Sequence, residues 1–222
     1  MSKGKLIVID GLDGSGKATQ AKALAASLRM AGVPVMEITF PQYESDSSAL
    51  VRMYLAGQFG QKPEDVNAYA ASSFYAVDRY ASYKTTWGEF YQNGGVIIAD
   101  RYTTSNGVHQ CSKLPEAQWD AFLAWLFDYE FNLLGLPAPD KVIYLAVDPA
   151  ISQKLMSERY QGDEGKKDLH EKDLAYLARS RAAAEYCADH LGWQTVACAK
   201  SGVMRTIDDI HAELARIVQA VL

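Results

Sequence analysis

Short apolar runs alternate along this chain with longer stretches of helical periodicity. The apolar runs predict strands over Lys5–Asp10, Val35–Phe40, Val96–Asp100, Lys141–Val147 and Gln194–Ala199. Helices are predicted over Ala18–Met30, Ser48–Ala56 and Val66–Gln92, ended by Gly32, Gly57 and Gly94-Gly95. Others are predicted over Pro115–Leu134, Ala150–Tyr160, Glu171–His190 and Ile207–Val221. Such alternation implies a parallel sheet covered by helices on both faces. Ligands of these sheets bind beyond the carboxyl ends of the strands, where Asp10-Gly11, Phe40-Pro41, Asp100-Arg101 and Val147-Asp148 fall. The polar, glycine-containing segment Gln161–His170 reads as a lid between two helices. With no repeat, low-complexity tract or linker in 222 residues, one domain over 1–222 is expected.

The first strand end carries the most specific signal. Residues 11–19 read Gly-Leu-Asp-Gly-Ser-Gly-Lys-Ala-Thr directly after a buried strand and before an alanine-rich helix. Gly11, Gly14 and Gly16 allow backbone conformations in which successive N–H groups, that of Ser15 among them, converge on phosphate oxygens. The helix start adds its positive dipole end, and Lys17 adds a full charge. A tight turn capping a helix would explain the glycines but not the whole motif. The chain is therefore expected to bind a nucleoside triphosphate on an α/β fold. That fold is a P-loop NTPase-type parallel five-stranded sheet flanked by helices on both faces, with a short lid at about 161–170.

Ala18 stands where a magnesium-binding Ser or Thr is usual, with Thr19 following. The ion would then be held by water and phosphate oxygens, or Thr19 would help indirectly. The missing hydroxyl and the lack of an N-K-x-D sequence argue against a GTPase-type switch and favour a small-molecule kinase.

Bulk properties narrow the class further. Hydrophobic residues make up 49% and charged residues 22%, an ordinary globular balance. A net charge of −5 disfavours a general nucleic-acid binder. Cys111, Cys187 and Cys198 are spaced for neither metal nor disulfide pairing. The start Met1-Ser2-Lys3-Gly4 leads straight into a strand, and no apolar run has membrane-spanning length. A soluble, cytoplasmic protein is expected.

Three further groups sit where chemistry could use them. Asp100 ends a buried run beside the phosphate loop, placed to orient magnesium or its waters, and Arg101 offers a planar fork to phosphate. A structural ion pair is the alternative. Pro41 dictates an extended exit from Phe40, which would let Tyr43 point into the crevice. The aromatic helix Val66–Gln92 would by itself read as core, but Asp78-Arg79 in its middle is costly unless paired or used. Phe74 could stack on a flat base there while Arg79 donates to a base carbonyl.

Together the phosphate loop, Phe40-Pro41-Gln42-Tyr43, the helix with Phe74 and Asp78-Arg79, and Asp100-Arg101-Tyr102 with Ser105-Asn106 resemble thymidylate kinases in order and spacing. Asp168–Asp173 is similar to the acidic stretch ending their lid, and the resemblance runs from about Lys5 to the last helix. It implies that Asp13 binds the 3′-hydroxyl near magnesium, Phe74 stacks on thymine and Arg79 reads its O4. It further implies that Ser105 and Asn106 support that arginine and contact the pyrimidine edge. Tyr43 and Arg101 would meet the acceptor phosphate, Phe40 would line the same site, and Lys17 would bridge donor and acceptor phosphates. Arg159 would stack on adenine.

Three positions depart from the family pattern. Gln42 stands where relatives often have arginine, and His109 where tyrosine is usual near the sugar 2′ carbon. Gly14 replaces a loop arginine, as in forms that use the lid, yet this lid offers Lys166 and Lys167. The resemblance implies magnesium-dependent transfer from ATP to dTMP by a homodimer joined through the long aromatic helix. A kinase for another (deoxy)nucleoside monophosphate and a non-catalytic nucleotide-binding regulator remain open alternatives.

Overall fold

The computed structural model describes residues 3–148, 151, 152, 154, 155 and 174–222. Its centre is a five-stranded parallel sheet in the order β2–β3–β1–β4–β5. The strands are β1 (Lys5–Asp10), β2 (Val35–Thr39), β3 (Val96–Asp100), β4 (Lys141–Ala146) and β5 (Gln194–Ala197). They match the predicted strands to within a residue or two. The last run differs most, because Ala199–Lys200 (β6) leaves the sheet to pair with Val203–Met204 (β7) in a small hairpin.

The consecutive apolar residues of β1 are buried because the sheet is covered on both sides. Ile7 and Ile9 pack with Ile98, Ile143, Leu145 and Val196 against helices α1 (Lys17–Met30) and α8 (Ile207–Gln219). Leu6 and Val8 face the opposite way, into a cluster with Ile97, Ala99, Tyr102 and Trp87. Period-two alternation thus splits one apolar run between two cores.

The remaining described helices are α2 (Ala49–Leu55), α3 (Ala68–Ser82), α4 (Gly88–Gln92), α5 (Thr103–Cys111), α6 (Trp119–Phe127) and α7 (Leu174–His190). The predicted helix Val66–Gln92 is α3 and α4 joined through a π-helical turn at Tyr83–Trp87. Gly88 is required there: a Cβ would stand 2.3 Å from the Tyr83 carbonyl oxygen. A second π-helical turn, Asp128–Leu133, ends α6. Helix α5 was not expected from the sequence. Its Thr, Ser, Asn and Gly residues are poor helix formers, and tertiary packing against α3, α6 and α7 overrides that preference.

Parallel register brings the chemistry together. Asp100 is paired with Ile9 and Thr39, and Asp10 with Tyr144, so Asp10, Asp100 and the loops that follow share one edge of the sheet. The lid at 161–170 and most of the predicted helix Ala150–Tyr160 lie outside the described residues.

Candidate active site

The phosphate loop bridges β1 and α1. Gly14 and Gly16 take positive φ of 78° and 86°, and Gly16 caps α1 without a side-chain hydrogen bond. The first N–H groups of α1 are thereby left to a ligand. Gly11 and Ser15 lie beneath the loop instead of on the cavity wall. A Cβ on Gly11 would come within 2.8 Å of the Leu145 carbonyl oxygen, so only glycine lets the loop pass β4 this closely. Lys17 starts α1, one residue earlier than predicted, and its Nζ donates to the Leu12 carbonyl at 2.9 Å and lies 3.8 Å from Asp13. Burial, aided by Arg101, lowers its pKa to about 8, against the pull of Asp13, Asp100 and Asp10. A bound polyanion would restore its full charge.

Beyond β3 the chain turns sharply at Arg101, which has φ 67°. Its amide donates to the Ile9 carbonyl at 3.1 Å. Its guanidinium pairs with Asp13, donates to Ser105 Oγ at 3.3 Å and stands 3.3 Å from His109 Nε2. Burial opposes the arginine's charge, but Asp13, Asp10 and Asp100 together raise its pKa. The two strand-end aspartates divide their tasks. Asp10 is engaged by the Gly11 amide at 2.8 Å, by Thr104, and by Ser105 Oγ at 2.9 Å, so it organises α5. Asp100 keeps a buried Oδ1 with no hydrogen-bond partner, and burial pushes its carboxyl pKa up despite Lys17 and Arg101.

His109 is buried in the same wall. Burial first, and Arg101 second, bring its pKa down to about 4, leaving a neutral imidazole. Tyr176 of α7 stacks on it at an interplanar angle of 16° and donates its hydroxyl to the His109 carbonyl at 3.0 Å.

The far wall comes from α3, and here one expectation changes. Phe74 does not line the cavity; it packs on Tyr54 and Phe59, with ring centroids 6.5 and 5.6 Å away. Tyr75 takes the cavity position together with Arg79. The reason is helical geometry: residues four apart differ by about 40° around the axis, residues five apart by about 140°. That spacing was legible in the sequence and distinguishes Tyr75 from Phe74.

The charged pair of α3 is fully used. Asp78 accepts from the Gln42 amide at 2.8 Å and from Ser47 Oγ at 2.5 Å, fixing the loop after β2. Arg79 forms a two-pronged ion pair with Glu130, with Nε at 2.7 Å and Nη2 at 2.5 Å from the carboxylate oxygens. Glu130 was not singled out from the sequence, since nothing local marks it. Gln42 turns its side chain back onto the Thr39 carbonyl at 2.9 Å and is not on the wall.

These parts line a cavity of about 810 Å³. Asp13, Gly14, Gly16, Lys17, Ala18 and Thr19 line its phosphate-loop end. Asp100, Arg101, Ser105, Asn106 and His109 form its side. Phe40, Tyr43, Tyr75 and Arg79 complete it. Gln110, also unremarked in the sequence, lines it with a buried amide that has no partner. Arg159, Lys166 and Lys167 lie outside the described residues. Among the described residues no helix is long and apolar enough to cross a membrane, and no group of three or more His, Cys, Asp or Glu could hold a metal ion unaided.

The thymidylate kinase family model matches residues 9–210. The thymidylate kinase of Mycobacterium tuberculosis (strain H37Rv) is 34% identical over 191 residues, covering 85% of this chain and 87% of its own. A probable thymidylate kinase of Staphylothermus marinus is 28% identical over 217 residues, covering 98% and 96%. The solved structure of thymidylate kinase from Candida albicans superimposes with a TM-score of 0.71 at 22% identity, covering 99% of this chain and 93% of that one. The chain belongs to the thymidylate kinase family, ATP-dependent nucleoside monophosphate kinases that phosphorylate dTMP to dTDP.

Proposed function

We propose that this cavity carries out that reaction, moving the γ-phosphoryl group of ATP onto the phosphate of dTMP, with the residues in the following roles. The carrying observation is that Lys17, the Arg101–Asp13 pair and the Tyr75–Arg79 wall line one cavity. The donor phosphates lie along the amides of residues 14–19. The base stacks on Tyr75, with Arg79 and Asn106 at its polar edge. Arg101 and Tyr43 hold the acceptor phosphate, and Asp13 takes the sugar hydroxyl.

No strong base is needed, because a phosphate monoester with a second pKa near ~6 is largely dianionic at neutral pH. An acceptor oxygen attacks the γ-phosphorus in line, the bond to the bridging oxygen breaks, and ADP leaves. The obstacle is repulsion between two polyanions, and the largely buried cations of Lys17 and Arg101 neutralise it. The lid lysines Lys166 and Lys167, with Arg159 at adenine, complete the proposal from the family resemblance.

Magnesium fits this donor set. The buried, unpartnered Oδ1 of Asp100 beside Lys17 suits a water of a hydrated cation, with Asp13 as a second acceptor. When bound, the ion would supply charge neutralisation at the phosphate oxygens. Ala18 offers no hydroxyl, so phosphate oxygens and water make up the rest of its shell.

Three buried, free cysteines suit the reducing cytoplasm we assign. Tyr69, Val77 and Tyr80 leave an apolar stripe on α3, each at least 40% exposed, as the surface for a second copy. Sedimentation at micromolar concentration would show a dimer; a monomer throughout would remove it.

The function is tested by ADP release with ATP and magnesium against dTMP, dUMP, dCMP, dGMP, dAMP, UMP and no acceptor. Stimulation strongest with dTMP supports the assignment. Preference for another acceptor keeps the phosphate chemistry and overturns the base pocket. No stimulation by any acceptor, despite ATP binding, makes the chain a regulator.

A further inference from the structure

The ion pair behind the α3 wall does more than neutralise a buried charge. Glu130 is fully buried in the π-helical turn after α6, and its carboxylate receives four donor groups. Arg79 supplies Nε at 2.7 Å and Nη2 at 2.5 Å, Thr103 its Oγ1 at 2.6 Å and Asn106 its Nδ2 at 3.3 Å. The Asn106 amide nitrogen also donates to the Ser72 carbonyl at 3.1 Å. An ionised carboxylate only accepts hydrogen bonds, so each group facing it must present a donor. That requirement fixes what remains for the cavity. Arg79 turns its Nε–Nη2 edge toward Glu130, and Nη1 donates one N–H to the Tyr102 carbonyl at 3.5 Å, which leaves its second N–H as the donor for the cavity that Arg79 lines. Asn106 spends its NH2 group inward and is left with Oδ1, an acceptor. Both residues line the cavity.

We propose that Glu130 is a positioning residue that sets the hydrogen-bond polarity of the base site, with Arg79 as donor and Asn106 as acceptor. The inference rests on the pyrimidine-monophosphate reading above. A donor beside an acceptor matches the edge of a 4-keto pyrimidine, which offers O4 as acceptor and N3–H as donor. A 4-amino pyrimidine presents the opposite order, an amino donor beside the N3 acceptor, and meets two mismatches. Buried polar groups left unpaired make such a mismatch costly. Glu130 thus acts on keto-against-amino selection without touching the base. An isosteric amide there would offer an N–H of its own, weaken the hold on Arg79 and let the Asn106 amide rotate.

The test uses the full chain and Glu130→Gln, with ADP release measured against dTMP, dUMP and dCMP at saturating ATP. The ratio of kcat/KM for dTMP over dCMP is expected to fall about tenfold or more. The dTMP loss should appear mainly as a raised KM, with kcat within about threefold. Glu130→Asp keeps an acceptor-only group and should hold the ratio near wild type while KM rises. An unchanged ratio in Glu130→Gln, or a loss confined to kcat, would leave the glutamate a purely structural ion and overturn the proposal. If that variant does not fold, Asn106→Leu removes the acceptor while leaving the Arg79–Glu130 pair in place, and should lower the ratio about tenfold. An unchanged ratio there overturns the proposal equally. Failure of wild-type protein to phosphorylate dTMP would be failure of the functional reading. Normal wild-type turnover with an unshifted ratio would be failure of this inference alone.

Discussion

Arg101 reaches back from the end of β3 to form an ion pair with Asp13 in the phosphate loop, tying together two segments 88 residues apart in sequence. The backbone accepts φ 67° at Arg101, a conformation that costs a non-glycine residue about 1 kcal/mol or more. The Ile9 carbonyl and three side chains hold it there. Arg101→Lys retains the charge and loses the planar fork that meets Asp13, Ser105 and His109 together. We expect kcat/KM for dTMP to fall about a hundredfold with the melting temperature nearly unchanged. Near-wild-type turnover in a steady-state assay would remove Arg101 from the acceptor site.

Tyr75 and Phe74 are adjacent in sequence, but only Tyr75 lines the cavity. Tyr75→Ala should raise KM for dTMP about tenfold or more, because an aromatic platform for a base contributes roughly 1–3 kcal/mol. Phe74→Ala removes contacts to Tyr54 and Phe59. It should lower thermal stability while leaving KM within about twofold. Kinetics and thermal melts on the two variants decide the matter, and the reverse pattern would return the base platform to Phe74.

His109 should make the nucleotide-free protein sensitive to acid. Its pKa is about 4 in the folded chain, held down by burial and by Arg101, with Lys17 adding to the effect and Asp13 and Asp10 opposing it. In the unfolded chain an ordinary histidine near ~6.5 takes a proton first. The unfolded state therefore binds more protons between these values, and stability falls as pH drops from about 6.5 to 4. The loss from this residue is on the order of 3 kcal/mol. Urea unfolding at pH 7 and at pH 5 should show a smaller difference for His109→Gln than for wild type. Equal differences would place the titration elsewhere.

Much of this site is legible locally. The phosphate loop reads directly because its chemistry is carried by neighbouring residues on one turn. The strand ends at Asp10 and Asp100 read equally well, since each closes an uninterrupted apolar run. Helix α5 is not legible in the sequence because its residues favour caps and turns, and only packing against three other helices makes it helical. The Tyr75 assignment was recoverable from spacing by counting four residues back from Arg79.

Glu130 was not recoverable in that way. It stands 51 residues from Arg79, in a π-helical turn that no periodicity announces. A buried arginine on an aromatic helix demands a counter-charge, but the demand does not say which carboxylate answers it. The sequence by itself determined the strands, the phosphate loop and the identity of the groups at the strand ends, because those depend on local pattern. Only the tertiary structure decided which aspartate is occupied and which keeps an unpartnered oxygen, which carboxylate meets Arg79, and how Asn106 is turned. Those outcomes depend on burial and on partners far away in the chain, where an unmet donor or acceptor is too costly to leave.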